Sequence, residues 1–316
     1  MKITVLDGYT LNPGDLSWDQ LSELGELTVH ERTKNKDILE RSSCAELILT
    51  NKTPLTKETI EKLPNLKYIG VLATGYNIVD INAAKDHGII ATNIPAYSTQ
   101  SVAQMTFAHI LNLTQRVACH SESVKNSGWT RSEDFCYWEH PLIELSGLTL
   151  GILGFGQIGQ AVAGLGKAFG MKIIAFSRTA RKEFEYVNFV DIESLFKRSD
   201  ILTLHCPLTR ETENIVNKNK LKMMKRSAFI INTARGQLIE ESALADALNN
   251  NEIAGAGLDV LSSEPPEENN PLISAKNCFI TPHIAWAAKA SRQRLMNMAI
   301  ENVKAFIKGA PQNRVN

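Results

Sequence analysis

Thr149-Leu150-Gly151-Ile152-Leu153-Gly154-Phe155-Gly156-Gln157-Ile158-Gly159-Gln160 is the stretch from which the fold is read. Residues 149–153 form a short apolar run that ends at a glycine, the pattern of a buried strand. The following AVAGLGKAFG has helical character, and Gly154, Gly156 and Gly159 make G-x-G-x-x-G at the junction. In such a turn the first glycine allows the tight bend. The second lets backbone approach a pyrophosphate, and the third lets helix and strand pack closely. The helix N-terminus adds N–H groups and the positive end of a dipole. Glycines also occur in ordinary strand–helix turns, so the motif alone is weak. Its context, a preceding strand, a following helix and a second apolar strand at 172–176, makes it a dinucleotide signature.

The same rhythm extends both ways. Apolar runs at 2–6, 47–49, 68–72 and 89–91 alternate with helical patterns at 17–24, 56–62 and 81–87. Downstream, strands are expected at 200–204, 228–232, 256–260 and 279–280, and 287–308 reads as one closing helix. Alternation of this kind predicts an α/β protein with parallel sheets covered by helices. A single long helical pattern spans 99–125. After it, 126–146 is irregular and aromatic, with Trp129, Phe135, Tyr137 and Trp138. A loop of that length and composition calls for cover, either from a partner subunit or from its own domain.

A chain of 316 residues suits two domains. Its 34 basic and 34 acidic side chains balance, so no electrostatic footprint for nucleic acid or an anionic membrane is present. Cys44, Cys119, Cys136, Cys206 and Cys278 are scattered, odd in number and without C-x-x-C spacing. That pattern favours reduced thiols over a disulfide framework, and no metal site is expected. The opening MKITVLDGYT is too short and polar for a signal peptide, and no apolar run approaches membrane-spanning length. A soluble cytoplasmic protein is the expectation.

Ligands of doubly wound sheets lie beyond the carboxyl ends of the strands. Arg235 leaves the strand 228–232, Asp259 and Glu264 follow 256–260, and His283 follows 279–280. Arginine grips a carboxylate with a two-pronged fork, and histidine delivers a proton near neutral pH with a carboxylate to hold it. Such a set suits hydride transfer to a carbonyl. His30, His87, His109, His120, His140 and His205 are read as structural, His205 least securely because it ends a strand. After 172–176 an NAD site normally places an acidic residue. Here Ser177 stands in that position, followed by Arg178, with Arg181 nearby, a pattern that favours the 2′-phosphate of NADPH.

GFGQIG, HCPL, INTARG, GLDV with Glu264–Pro265, and TPHIAWA together resemble the D-2-hydroxyacid dehydrogenase family, in order and across the chain. The opening VLDGYTLNPGDLSW and the HIAWA segment resemble its glycerate dehydrogenase or hydroxypyruvate reductase branch most. The resemblance implies two Rossmann-like, doubly wound domains around an active-site cleft. A discontinuous substrate-binding domain would comprise 1–98 plus 286–316, and an NAD(P)-binding domain 99–285. It implies that Arg235 binds the substrate carboxylate and carbonyl, that His283 is the proton donor, and that Glu264 bonds His283 and raises its pKa. Cofactor contacts would come from Gly154, Phe155, Gly156, Gln157, Ile158 and Gly159, from Ser177, Arg178 and Thr179, and from Cys206, Pro207, Thr233 and Ala234. Asp259 would hold the nicotinamide carboxamide, with Thr99 and Val102 beside the ring. Thr74 and Gly75 would receive the substrate carboxylate. Gln104 stands where the family often has Glu. The implied activity is NAD(P)H-dependent reduction of small 2-ketoacids, hydroxypyruvate and glyoxylate first, by a homodimer joined through the cofactor domain and 126–146. Two alternatives stay open. One is a dehydrogenase of another D-2-hydroxyacid, including phosphoglycerate, disfavoured by the absence of a regulatory domain after residue 316. The other is a dinucleotide-sensing corepressor-like protein, disfavoured by the lack of appended tails.

Overall fold

The computed structural model describes residues 1–178 and 183–316, so the candidates Thr179 and Arg181 lie outside the described residues. The chain divides into two compact units, Met1–Ser98 with Ala287–Asn316, and Thr99–Trp286. Each is an α/β unit on a wholly parallel sheet.

The first unit holds β1 (Lys2–Val5), β2 (Glu26–Val29), β3 (Leu47–Thr50), β4 (Tyr68–Val71) and β5 (Ile90–Thr92), in the order β2-β1-β3-β4-β5. Leu47–Thr50 and Tyr68–Val71 are buried at every position, as a parallel strand covered on both faces requires. The closing helix, Lys289–Ile307, belongs to this unit and sets the Phe306 ring 4.9 Å from that of Tyr68.

The second unit holds β6 (Thr149–Leu153), β7 (Lys172–Phe176), β8 (Val187–Phe189), β9 (Ile201–Leu204), β10 (Phe229–Asn232), β11 (Gly255–Leu258) and β12 (Cys278–Ile280). Their order is β12-β11-β10-β9-β6-β7-β8. Strand order therefore reverses between β6 and β9, the place where doubly wound sheets take nucleotides. Leu150, Ile152, Ile201, Leu202, Ile230 and Ile231, all inaccessible, form the centre of its core.

Three features depart from the expected elements. β2 and β8 were not foreseen, and both are edge strands whose exposed residues break the apolar run. The helix expected over 99–125 is two helices, Thr99–Gln115 and Val117–Lys125, broken at Arg116, which takes a left-handed φ of 48°. Arg116 donates from Nη2 to Asn277 Oδ1 at 2.9 Å, a tether that a helix-propensity pattern does not encode. In the aromatic loop Phe135 is 88% exposed and Trp138 65%, so this chain's own domain leaves those rings open. Among the described residues no helix is long and apolar enough to cross a membrane.

Candidate active site

The dinucleotide turn follows β6 and faces the segment after β9. Gly154 has φ +96°, and a Cβ there would lie 2.5 Å from the Cys206 nitrogen. A Cβ on Gly159 would collide with the Gly154 carbonyl. Both glycines are thus demanded by the protein's own backbone. Gly156 differs: its φ is −76°, acceptable to any residue, and a Cβ would meet nothing within 4 Å. Only something laid over the N-terminus of the helix Gln157–Ala168 gives that position a reason to lack a side chain. The turn thus fits a pyrophosphate. Gly156 and Gln157 are exposed, while Ile158 is half-buried. Phe155 is buried, with its ring edge-on to Phe184 and Phe189, so it can offer a cofactor only backbone.

Ser177 and Arg178 follow β7, Ser177 half-buried and Arg178 exposed. The Glu211 carboxyl is held below its ordinary value, chiefly by the Thr209 hydroxyl and in part by the charge of Arg178. Arg178 therefore has an acidic side chain within electrostatic reach. Cys206 is half-buried, and burial pushes its thiol up to about 11, so it is an inert wall. Pro207 beside it is exposed and Ala234 half-buried. Thr106 links two other candidates, donating to the Val102 carbonyl at 2.9 Å and lying 3.1 Å from the Thr233 hydroxyl. Thr99 opens the same helix, and Gln104 is exposed on it.

Arg235, Asp259 and His283 follow the adjacent strands β10, β11 and β12. Arg235 is exposed, and one guanidinium nitrogen donates to the Ala234 carbonyl at 2.7 Å. A Cβ on the next residue, Gly236, would strike the Leu261 backbone, so the loops after β10 and β11 are in direct contact. His283 Nδ1 lies 2.6 Å from Glu264 Oε2. An ionised carboxylate only accepts, so Nδ1 carries the proton and Nε2 is left for a reacting oxygen. His283 is held with φ +52°, a conformation that costs a residue with a side chain roughly 1–3 kcal/mol. Asp259 supplies much of the restraint. Its buried carboxylate accepts from the Ile284 N–H at 2.9 Å, the Ala285 N–H at 2.7 Å and the Thr281 hydroxyl at 2.6 Å. Its carbonyl accepts from His283 N–H at 2.8 Å. Two carboxylate oxygens offer about four acceptor sites, so one remains for a carboxamide.

Thr74 and Gly75 lie in the first unit, after β4. The Thr74 hydroxyl donates to the Ile94 carbonyl at 2.8 Å, and Asn93 Nδ2 donates to the Thr74 carbonyl at 2.8 Å. Among the described residues the amide N–H groups of Thr74 and Gly75 find no acceptor, so the pinned loop offers donors to an anion.

Sequence reasoning did not single out Thr281 or its contact with His109, whose Nε2 lies 3.1 Å from the Thr281 hydroxyl. Thr281 stands inside TPHIAW, but no pattern tells that its hydroxyl bonds Asp259. His109 was read as structural. His205 follows β9, and among the described residues both its ring nitrogens are buried without a hydrogen-bond partner; burial lowers it to about 3. Cys119, Glu139 and His140 bring ligand atoms within 4.8 Å of one another, which their sequence spacing concealed. Glu139 already accepts from the Ser123 hydroxyl and lies 3.8 Å from the Cys119 thiol.

Residues 107–285 match the family model for the NAD binding domain of D-isomer specific 2-hydroxyacid dehydrogenases. The hydroxypyruvate reductase of Blautia hydrogenotrophica is 49% identical over 321 residues, the whole of both chains. The glycerate dehydrogenase of Methylorubrum extorquens is 42% identical over 282 residues, 89% of this chain and 88% of that protein. An acyclic imino acid reductase solved in complex with NADPH and D-Arg superposes with a TM-score of 0.87 at 34% identity, covering both chains completely. On these grounds the chain belongs to the D-isomer specific 2-hydroxyacid dehydrogenase family.

Proposed function

We propose that this protein reduces small 2-ketoacids, hydroxypyruvate and glyoxylate foremost, to D-2-hydroxyacids. The observation that carries this is the 2.6 Å His283–Glu264 pair, one strand end from Asp259 and two from Arg235 in the unit that holds the dinucleotide turn. Relatives named hydroxypyruvate reductase and glycerate dehydrogenase, matched over at least 88% of their length, support the substrate class.

Unit Thr99–Trp286 is the cofactor-binding domain, and the discontinuous unit is the substrate-binding domain. The turn Gly154–Gly159 and the N-terminus of its helix hold the diphosphate, with Cys206, Pro207, Thr233, Ala234, Thr99 and Val102 along the cofactor. The remaining acceptor site of Asp259 takes the carboxamide. When bound, the nicotinamide supplies the hydride for the keto carbon. Arg235 binds the ketoacid carboxylate and carbonyl, polarising the C=O bond as charge develops on its oxygen. In the first unit, the Thr74 and Gly75 amides receive a carboxylate. His283 donates its Nε2 proton to the nascent alkoxide, and Glu264 holds the ring by Nδ1.

NADPH is the preferred cofactor, because Ser177 replaces the acidic residue that would repel a 2′-phosphate and Arg178 donates to it. Glu211 beside Arg178 tempers that preference. A second copy of the chain covers the open rings of 126–146. The five free thiols favour a cytosolic setting.

A panel of 2-ketoacids assayed with NADH and NADPH is the test. Hydroxypyruvate and glyoxylate should exceed phenylpyruvate, and NADPH should lead by about tenfold, the worth of one charge-assisted bond. Arg178→Ala should remove that lead by weakening NADPH alone. A wild-type preference for NADH sinks the cofactor assignment, and a preference for phenylpyruvate sinks the substrate assignment.

A further inference from the structure

We propose that His109 is a positioning residue of the active site: its Nε2–H fixes the Thr281 hydroxyl, and through it the Asp259 carboxylate and the turn that presents His283. This rests on the functional reading of His283 given above.

His109 lies in the helix Thr99–Gln115 and is 4% exposed. Position 109 faces the apolar centre of the unit, where leucine would serve for packing, and an imidazole there is costly unless its polar atoms are bonded. Its Nε2 lies 3.1 Å from Thr281 Oγ1. The Thr281 hydroxyl has one proton, which goes to Asp259 Oδ1 at 2.6 Å because a carboxylate can only accept. Towards His109 that hydroxyl is therefore the acceptor, and the ring must be the Nε2–H tautomer. Burial lowers the pKa of the ring, opposed in part by the charge of Asp259.

The backbone opposite is shaped for this ring. A Cβ at Gly257, in β11, would lie 2.7 Å from His109 Cβ and 3.0 Å from its Nδ1. The glycine lets the helix close onto the strand until the imidazole reaches Thr281. Two residues further along, Asp259 receives the relay and passes it to the Ile284 and Ala285 amides that bracket the left-handed His283. Ser101, on the same helix, donates to the Ala285 carbonyl at 2.6 Å. The helix thus holds the His283 turn at two points, one of them through a hydroxyl whose rotor would otherwise be free.

A double-mutant cycle reads the coupling. His109→Leu should lower kcat about tenfold, within what a displaced catalytic group costs, while KM for the cofactor stays within about threefold. His109→Gln, which keeps an N–H donor at similar reach, should recover most of the loss. In a Thr281→Val background His109→Leu should add nothing. Additive losses, or a glutamine variant no better than leucine, would reduce His109 to packing and overturn the proposal. Nitrogen-15 NMR of the imidazoles in the cofactor-free protein gives an activity-independent arm. A His109 ring protonated at Nε2 is expected, and protonation at Nδ1 would overturn the relay. If the unaltered protein turns over no ketoacid, the proposed function fails while this spectrum still decides the relay.

Discussion

Replacing one Glu264 oxygen by nitrogen is the smallest change that tests the proton relay. Glu264→Gln can still touch His283 but loses the charge, and a charge-assisted hydrogen bond is worth roughly 1.5–3 kcal/mol. A fall in kcat/KM of about 10- to 150-fold is expected, whereas His283→Ala should lower kcat by roughly 10²–10⁴. Steady-state assays that place both variants within twofold of wild type would remove His283 from the chemistry. His205 gives a second test, in acid. Its folded value is about 3 against 6.5 for a free ring. Below 6.5 the unfolded chain takes up a proton that the folded ring refuses, so stability falls as pH drops from 6.5 towards 3, by at most about 1.4 kcal/mol per pH unit. Part of the residue's surface is open, but both ring nitrogens are covered, and the nitrogens decide this shift. Urea midpoints at pH 7.5 and 5.0, without cofactor, should differ less in His205→Gln than in wild type. The placement of Asp259 and His283 beyond strand ends was legible in the sequence, whereas the Glu264–His283 contact was read only from the family resemblance. His109 was not legible, because one histidine in an apolar helix looks the same whether or not its Nε2 meets a hydroxyl 172 residues away.

The turn between β6 and its helix separates structural glycines from functional ones. Gly159→Ala drives a methyl into the Gly154 carbonyl and should cost roughly 1–3 kcal/mol of stability. Gly156→Ala meets open space and should leave stability within about 0.5 kcal/mol, yet raise the dissociation constant for NAD(P)H by about tenfold or more. Thermal melts and cofactor titrations on the two variants give the comparison. A Gly156→Ala protein that binds cofactor normally would show that no diphosphate lies there. Element boundaries were legible where strands are buried on both faces, as in β3, β9, β10 and β11. They failed at two of the four sheet edges, Glu26–Val29, which has no fully buried residue, and Val187–Phe189, which has one. The break at Arg116 depends on Asn277, far along the chain, and local pattern cannot foretell it.

The whole molecule repeats one architecture with two outcomes. In the first unit strand order reverses between β1 and β3. There the protein supplies its own anion: Asp7 accepts from the amides of Asn51, Lys52 and Thr53 at 2.6–2.7 Å. Those donors are thus occupied by the chain's own carboxylate, and the turn after β1 carries no G-x-G-x-x-G. The resemblance of the halves was legible as strand–helix rhythm, but the Asp7 contact was not, because its first partner lies 44 residues away. The discontinuity of that unit also bears on its birth at the ribosome. Thr99–Trp286 is contiguous, whereas Met1–Ser98 waits for Ala287–Asn316. Until that stretch emerges, Tyr68 lacks Phe306, and Ala91 lacks the amide of Val315 that bonds its carbonyl. The first sheet to be translated is therefore the last to be finished. In a released fragment of residues 1–286, protease should cut within 1–98 while 99–286 resists. Equal protection of both would mean that the early sheet closes without its final helix.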